Sequence, residues 1–83
     1  LAQYLLAHPE RVEGKSIIDF GAGSGVVGIA AMLAGAREVL AVDLDPAALA
    51  ACAVNAAING VQLTLAPDLD AIQTPIDLII AAQ

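Results

Sequence analysis

The residues best suited to chemistry lie in one stretch, where Asp-Phe-Gly-Ala-Gly-Ser-Gly runs from Asp19 to Gly25. Glycines let a backbone approach a ligand closely, and a helix that follows such a loop offers free amide N–H groups. A carboxylate at the start of the loop would repel a pyrophosphate, whereas it suits a cationic amine. The stretch therefore predicts a ligand site that favours an amino acid over a diphosphate.

A second acid keeps another ligand class open. The six residues from Gly23 to Gly28 have the form G-x-G-x-x-G, and Asp43 follows Gly23 by about 20 residues, as in dinucleotide-binding folds. An NAD-binding oxidoreductase domain is therefore an alternative. Asp19 disfavours it, and so does the sequence Asp-Leu-Asp-Pro that begins at Asp43.

Apolar runs and capping signals predict the elements that position this loop. Asp45 followed by Pro46 is typical of a helix start, and Asn59 followed by Gly60 is typical of a helix end. Cys52 is predicted to be a small core residue on that helix, and His8 a surface residue at the end of a leading helix. The predicted ranges are helices over 1–8, 26–34 and 46–58, and strands over 16–20, 38–42, 61–66 and 76–81.

This order of elements predicts an α/β fold with a parallel sheet. Right-handed crossovers place the first three strands side by side with both connecting helices on one face, and the fourth strand returns beside the first. The spatial order is then 3-2-1-4. Only residues 67–74 remain to cover the second face, so we expect an incomplete domain that could associate through the exposed sheet face or edge.

Composition excludes several classes of partner. The chain has 83 residues, a formal net charge of −6 and only three fixed cations, which argues against a nucleic-acid partner. Cys52 stands alone, so neither a disulfide framework nor a metal cluster is predicted. The start of the chain has no signal-peptide pattern and no run of 18 apolar residues occurs, which predicts no membrane contact and a cytoplasmic location.

Three segments together carry a resemblance to a known family. Residues 17–25, 41–46 and 55–60 resemble the cofactor-binding half of a class I S-adenosylmethionine-dependent methyltransferase. The resemblance is closest to the protein-methylating group that includes the electron-transfer-flavoprotein β-subunit lysine methyltransferase, its nicotinamide-methyltransferase-like relatives and the ribosomal protein L11 methyltransferase. It implies a truncated Rossmann-like three-layer methyltransferase fold, a single domain over 1–83. Residues 1–15 would form a leading helix and turn, and residues 16–83 a βαβαββ core.

The resemblance also implies roles for the first strand end and the glycine loop. Asp19 would face the amino group of the methionyl part of S-adenosylmethionine. Gly21, Ala22, Gly23 and Gly25 would let that methionyl part lie against the loop backbone.

Three further residues receive cofactor roles from the same resemblance. Asp43 would accept both ribose hydroxyls, Leu44 would flank the adenine, and Asp68 would accept the adenine amino group. For Asp68 a solvated loop acid remains an equal alternative. Asp45 is explained by helix capping alone.

The resemblance implies an S-adenosylmethionine-dependent methyltransferase whose acceptor is a protein lysine. No catalytic residue can be assigned, and Asp77, at the start of the fourth strand, is interpreted as structural. Gln83 stands where the family has an acid or asparagine bordering the acceptor. With the short length, that departure supports a further alternative, a binding module without activity.

Overall fold

The structure is a computed structural model that describes residues 1–81. Four parallel strands form one sheet in the order β3-β2-β1-β4, as the sequence predicts. The elements are α1 (Ala2–Ala7), a 3₁₀ turn (Pro9–Arg11), β1 (Ser16–Phe20), α2 (Val26–Leu33), β2 (Glu38–Val42), α3 (Pro46–Ile58), β3 (Thr64–Ala66), a second 3₁₀ turn (Leu69–Ala71) and β4 (Leu78–Ile80).

The first strand is the centre of the sheet. All five residues of β1 pair with β2, from Ser16 beside Glu38 to Phe20 beside Val42. On its other side β1 pairs with β4, where Asp19 lies beside Ile80. Both backbone edges of β1 are therefore satisfied by parallel neighbours, and its carboxyl end leads directly into the glycine loop.

The third helix has the most strongly determined ends. The Asp45 side chain accepts a hydrogen bond of 2.9 Å from the Ala47 amide, so Asp45 is the predicted N-cap before Pro46. At the other end Gly60 has a φ of +68°, its amide bonds to the Ala57 carbonyl, and the Val61 amide bonds to the Ala56 carbonyl. These two bonds form a Schellman motif, which ends the helix as predicted.

The same motif corrects the predicted third strand. Residues 61–66 were expected to be extended, but β3 contains only Thr64–Ala66. Val61 is held in the helix terminus by its bond to Ala56, and the β2 register reaches only from Leu40 to Val42. The fourth strand is shorter than the predicted 76–81 for a similar reason, because its pairing with β1 begins at Leu78.

Two sets of apolar residues fill the two faces of the sheet. On the first face, α1 packs against α2, α2 contacts β2, and α3 contacts α2, β2 and β3. The buried residues of that core are Leu5, Val12, Ile17, Ala31, Ala36, Val39 and Ile80. On the second face lie Ile18, Leu40, Val42 and Ala66, with Ile76 packed against them.

The second face is thinly covered within residues 1–81, as the sequence predicts. Side chains of Phe20 and Ile79 remain 48% and 64% exposed there. Helices α1 and α3 bury few of their apolar residues. Of the apolar positions in α1 only Leu5 is buried, and Ala53 and Ala57 of α3 are exposed because that helix packs along a narrow line through Cys52 and Ala56.

A polar cluster joins the amino ends of the strands. Ser16 is fully buried, and its amide donates to Asp77 Oδ2 at 2.8 Å while its hydroxyl donates to Glu38 Oε1 at 2.8 Å. The Arg37 guanidinium donates to the same hydroxyl, and Thr74 Oγ1 donates to Glu38 Oε1 at 3.0 Å. The Asp77 amide also donates to the Ser16 carbonyl at 2.9 Å, so Asp77 has the structural role predicted for it.

None of the helices within residues 1–81 has the length and apolar character required to cross a bilayer.

Removing the Asp77 carboxylate should destabilise the protein through Ser16. In Asp77→Ala the buried Ser16 amide loses its side-chain acceptor, which is expected to lower the free energy of unfolding by about 1–3 kcal/mol. Asp77→Asn keeps an acceptor oxygen and should recover most of that loss. Urea unfolding measures both, with Asp70→Ala as the control because no residue in 1–81 donates to that exposed side chain. Equal stability of Asp77→Ala and Asp70→Ala would contradict the assignment.

Candidate functional site

The glycine loop, defined here as residues 21–25, is held against the end of β2. The amides of Gly21 and Ala22 both donate to the Val42 carbonyl, at 2.8 and 3.0 Å. The Gly23 amide donates to Asp43 Oδ2 at 2.9 Å, and the Gly25 amide donates to the Ala22 carbonyl at 2.9 Å. The loop is therefore a fixed turn between β1 and α2.

Glycine is required in this turn for two different reasons. Gly21, Gly23 and Gly25 have φ angles of +75°, +57° and +85°, which L side chains rarely adopt. A Cβ at Gly21 or Gly23 would meet nothing within 4 Å, so these positions face open space, whereas a Cβ at Gly25 would lie 3.1 Å from Cys52 Sγ. The loop is thus open on one side and packed against α3 on the other.

Asp19 lies at the base of this loop with an unpaired oxygen. The residue is 2% exposed, and Oδ2 has no hydrogen-bond partner among residues 1–81. Burial raises the pKa of Asp19 above its ordinary value, while the Gly28 amide opposes that rise and the charge of Asp43 adds to it. A buried carboxylate oxygen without a hydrogen-bond partner is costly, and a cationic donor would satisfy it.

Asp43 at the end of β2 has the opposite environment. Its Oδ1 accepts from the Asp45 amide at 2.9 Å, and its Oδ2 accepts from the Gly23 amide. These two bonds lower the pKa of Asp43 below its ordinary value, so the side chain is an anion at neutral pH. A carboxylate has about four acceptor positions, so about two remain for the hydroxyls of a ligand.

An apolar pocket of about 220 Å³ lies beside Asp43 at the carboxyl end of the sheet. It brings together three of the predicted residues, Gly21, Asp43 and Leu44, and the Leu44 side chain is 87% exposed. The lining residues are Phe20, Gly21, Val42, Asp43, Leu44 and Pro67. A flat apolar group could lie here beside the polar groups of the loop.

Asp68 occupies a different position from the other predicted residues. It follows Pro67 at the rim of the pocket, and its Oδ1 accepts from the Asp70 amide at 2.9 Å. That bond caps the 3₁₀ turn Leu69–Ala71. Its proposed contact with an adenine amino group stays a prediction, as does the absence of a catalytic residue from this part of the chain.

Two residues of α3 that contact the loop carry no site role in the sequence prediction. Cys52 is buried as predicted, but its Sγ also donates to the Gly23 carbonyl at 3.0 Å. Asn55 Nδ2 donates to the Ser24 carbonyl at 2.8 Å. A polar residue three positions after Cys52, on the same side of a largely apolar helix, was the available signal for this second contact.

The geometry fits S-adenosylmethionine in three respects. Asp19 offers an unpaired buried oxygen to an ammonium, Asp43 retains acceptor positions for hydroxyls, and the pocket beside Leu44 is apolar. Groups of three or more histidine, cysteine or acidic residues that could hold a metal ion do not occur within residues 1–81. Gln83, where an acceptor motif was expected, lies outside the described residues.

Comparison with known proteins decides the family. The family described as ribosomal protein L11 methyltransferase (PrmA) matches residues 5–82 of this chain. The chain belongs to that family. It is therefore a member of the class I S-adenosylmethionine-dependent methyltransferases, and its cofactor is S-adenosylmethionine.

Individual relatives agree with this assignment. The electron transfer flavoprotein beta subunit lysine methyltransferase of Rattus norvegicus is 47% identical over 60 residues, which are 72% of this chain and 24% of the relative. A ribosomal protein L11 methyltransferase of Acinetobacter baumannii is 52% identical over 50 residues, 60% of this chain and 17% of the relative. The chain thus spans about a quarter or less of the length of these curated relatives.

The fold is similar to that of solved methyltransferase structures. The ribosomal protein L11 methylase of Lactobacillus delbrueckii subsp. bulgaricus has a TM-score of 0.79 and 35% identity, over 96% of this chain and 45% of that protein. This similarity confirms the predicted Rossmann-like methyltransferase fold with its 3-2-1-4 strand order.

Replacing the charge at Asp19 should separate stability from cofactor binding. Because burial raises the pKa of Asp19 above its ordinary 3.8, folding disfavours the carboxylate, and its contribution to stability falls as pH rises from about 3.8 through the raised pKa. Asp19→Asn is therefore expected to stabilise the ligand-free protein at neutral pH. It should weaken S-adenosylhomocysteine binding at least tenfold, because the ammonium loses a charged partner.

Two measurements check this prediction. Urea unfolding of the ligand-free proteins should show that the stability gain of Asp19→Asn disappears at pH values below about 4, where Asp19 itself is protonated. Calorimetry at neutral pH gives the affinity, with Asp70→Asn as a control for the loss of one surface charge. A variant that is less stable and binds as well as the wild type would contradict the proposed role of Asp19.

Proposed function

We propose that the protein containing this chain transfers a methyl group from S-adenosylmethionine to a lysine side chain of a protein, and that this chain contributes the cofactor site. The observation that carries the proposal is the buried Asp19 carboxylate, whose Oδ2 lacks a partner within residues 1–81 at the base of the glycine loop. The lysine specificity draws support from the name of the rat relative, and a protein acceptor from the names of both relatives.

In this proposal the residues of this chain bind and orient the cofactor. Asp19 would hold the ammonium of the cofactor, the loop backbone would lie along the methionyl part, and Asp43 would accept the ribose hydroxyls. Leu44 and the pocket beside it would take the adenine, with Asp68, which follows the lining residue Pro67, as the proposed acceptor for its amino group. When bound, the cofactor supplies an electrophilic methyl group on a sulfonium, so the chemistry needs positioning more than acid or base catalysis.

The acceptor lysine must lose its proton before it can attack. Desolvation or a nearby carboxylate could remove that proton, and no residue of this chain is assigned the role. The carboxylates of Asp19 and Asp43 are committed to the cofactor in this proposal.

Two experiments test the proposal. Calorimetry of the protein with S-adenosylhomocysteine and with NAD should show binding of the first alone. Incubation with methyl-labelled S-adenosylmethionine and either the electron transfer flavoprotein beta subunit or ribosomal protein L11 should then label lysine, as located by mass spectrometry. Binding of NAD without the homocysteine compound would refute the cofactor site, and label confined to other residue types would refute the lysine specificity.

Asp43→Ala is expected to weaken S-adenosylhomocysteine binding more than tenfold, because two hydroxyls would lose their charged acceptor. Asp43 also holds the Gly23 amide, so the 2′-deoxy analogue separates the two effects. The wild type should bind S-adenosylhomocysteine better than this analogue, and Asp43→Ala should bind the two more nearly equally. If both proteins discriminate equally, the ribose is held elsewhere. Asp70→Ala is the matched control.

A further inference from the structure

The side of α3 that faces the glycine loop presents two hydrogen-bond donors to neighbouring carbonyls. Cys52 Sγ donates to the Gly23 carbonyl at 3.0 Å, and Asn55 Nδ2 donates to the Ser24 carbonyl at 2.8 Å. The two donors are three residues apart, which places them on one side of the helix. Consecutive peptide units of the loop are therefore tied to α3 by side chains.

These ties determine where the loop amides point. The peptide bonds are trans, so an amide N–H points away from the carbonyl of the same peptide unit. Because the Gly23 carbonyl points toward Cys52, the Ser24 amide of that unit points away from α3. The other loop amides donate to Val42, Asp43 and Ala22, whereas the Ser24 amide has no acceptor among residues 1–81.

The Cys52 thiol is suited to this task because it remains a donor. It is fully buried, and burial raises its pKa, with further contributions from the charges of Asp19 and Asp43. The thiol therefore stays protonated at neutral pH. Gly25 packs directly against it, since a Cβ there would lie 3.1 Å from Sγ, so the loop can neither move toward α3 nor turn its carbonyl away without losing the bond.

We propose that Cys52 and Asn55 are positioning residues that present the Ser24 amide to the carboxylate of the amino-acid part of the ligand. This inference rests on the proposed cofactor site. An α-amino acid carries its ammonium and its carboxylate on one carbon, and Asp19 can satisfy only the ammonium. The carboxylate needs N–H donors, and Ser24 supplies one from an exposed position in the same loop.

A comparison of two ligands tests the proposal. S-adenosylhomocysteine carries the amino-acid part, and 5′-methylthioadenosine lacks it. Asn55→Ala is expected to raise the dissociation constant of S-adenosylhomocysteine about threefold to tenfold and to leave that of 5′-methylthioadenosine within about twofold. If Asn55 had only a structural role, Asn55→Ala would weaken the binding of both ligands to the same extent.

Asn59→Ala is the matched control for Asn55→Ala. Asn59 is the same residue type at the end of the same helix, and its Nδ2 donates to the Asn55 carbonyl at 2.8 Å instead of to a loop carbonyl. Its loss should leave both dissociation constants unchanged. Cys52→Ala should weaken the binding of S-adenosylhomocysteine as Asn55→Ala does. Cys52→Ser should retain binding, because the serine hydroxyl can donate to the Gly23 carbonyl.

The outcomes separate this inference from the proposed function. If the wild type binds S-adenosylhomocysteine but Asn55→Ala behaves like Asn59→Ala, the positioning role is wrong and the cofactor site stands. If the wild type does not bind S-adenosylhomocysteine, the proposed function fails and the inference fails with it. Hydrogen exchange in the ligand-free protein adds a direct measurement, since the Gly25 amide should exchange faster in Asn55→Ala than in Asn59→Ala.

Discussion

The rest of the structure depends on keeping one carboxylate buried at the end of a central strand. Burial removes the hydration of Asp19, and Oδ2 has no protein donor within residues 1–81 to replace it. The sheet holds the side chain there because Asp19 lies between Ala41 of β2 and Ile80 of β4. Gly28 is the second requirement, since a Cβ there would lie 3.4 Å from Oδ2 and 3.2 Å from Val39 Cγ1. Helix α2 can therefore lie this close to the carboxylate only because the residue is glycine.

The two acids at neighbouring strand ends differ in what surrounds them. Asp43 accepts hydrogen bonds from the amides of Asp45 and Gly23, and these bonds lower its pKa. Burial instead raises the pKa of Asp19. Asp43 is hydrogen-bonded to the loop, whereas Asp19 Oδ2 has no partner within residues 1–81. A ligand that brings an ammonium to Asp19 would remove the unfavourable interaction between the two charges as well as the cost of burial. Asp43 thus holds the loop in place, whereas Asp19 is left to pair with a ligand.

Local chemistry explains which features could be predicted from the sequence. The Asp45 side chain and the positive φ of Gly60 act on backbone groups within a few residues, so the ends of α3 follow from residue type, and the apolar residues of β1 determine a buried strand. Contacts between distant residues could not be predicted in this way. Cys52 and Asn55 reach loop carbonyls 29 and 31 positions away. In each case the partner is determined by tertiary packing, which the pattern of residue types does not encode.

The contrast within β1 shows that the unpaired acid is not a general property of this fold. Ser16 begins the strand, is fully buried, and has its amide and hydroxyl satisfied by Asp77, Glu38 and Arg37. Asp19 lies three residues further on and is buried nearly as well, yet Oδ2 has no such partner in residues 1–81. The fold can therefore supply hydrogen-bond partners to buried polar groups at a position that serves stability alone. An unsatisfied carboxylate beside an open glycine loop is better explained by a ligand that completes it, because substitution to an apolar residue would otherwise remove its cost.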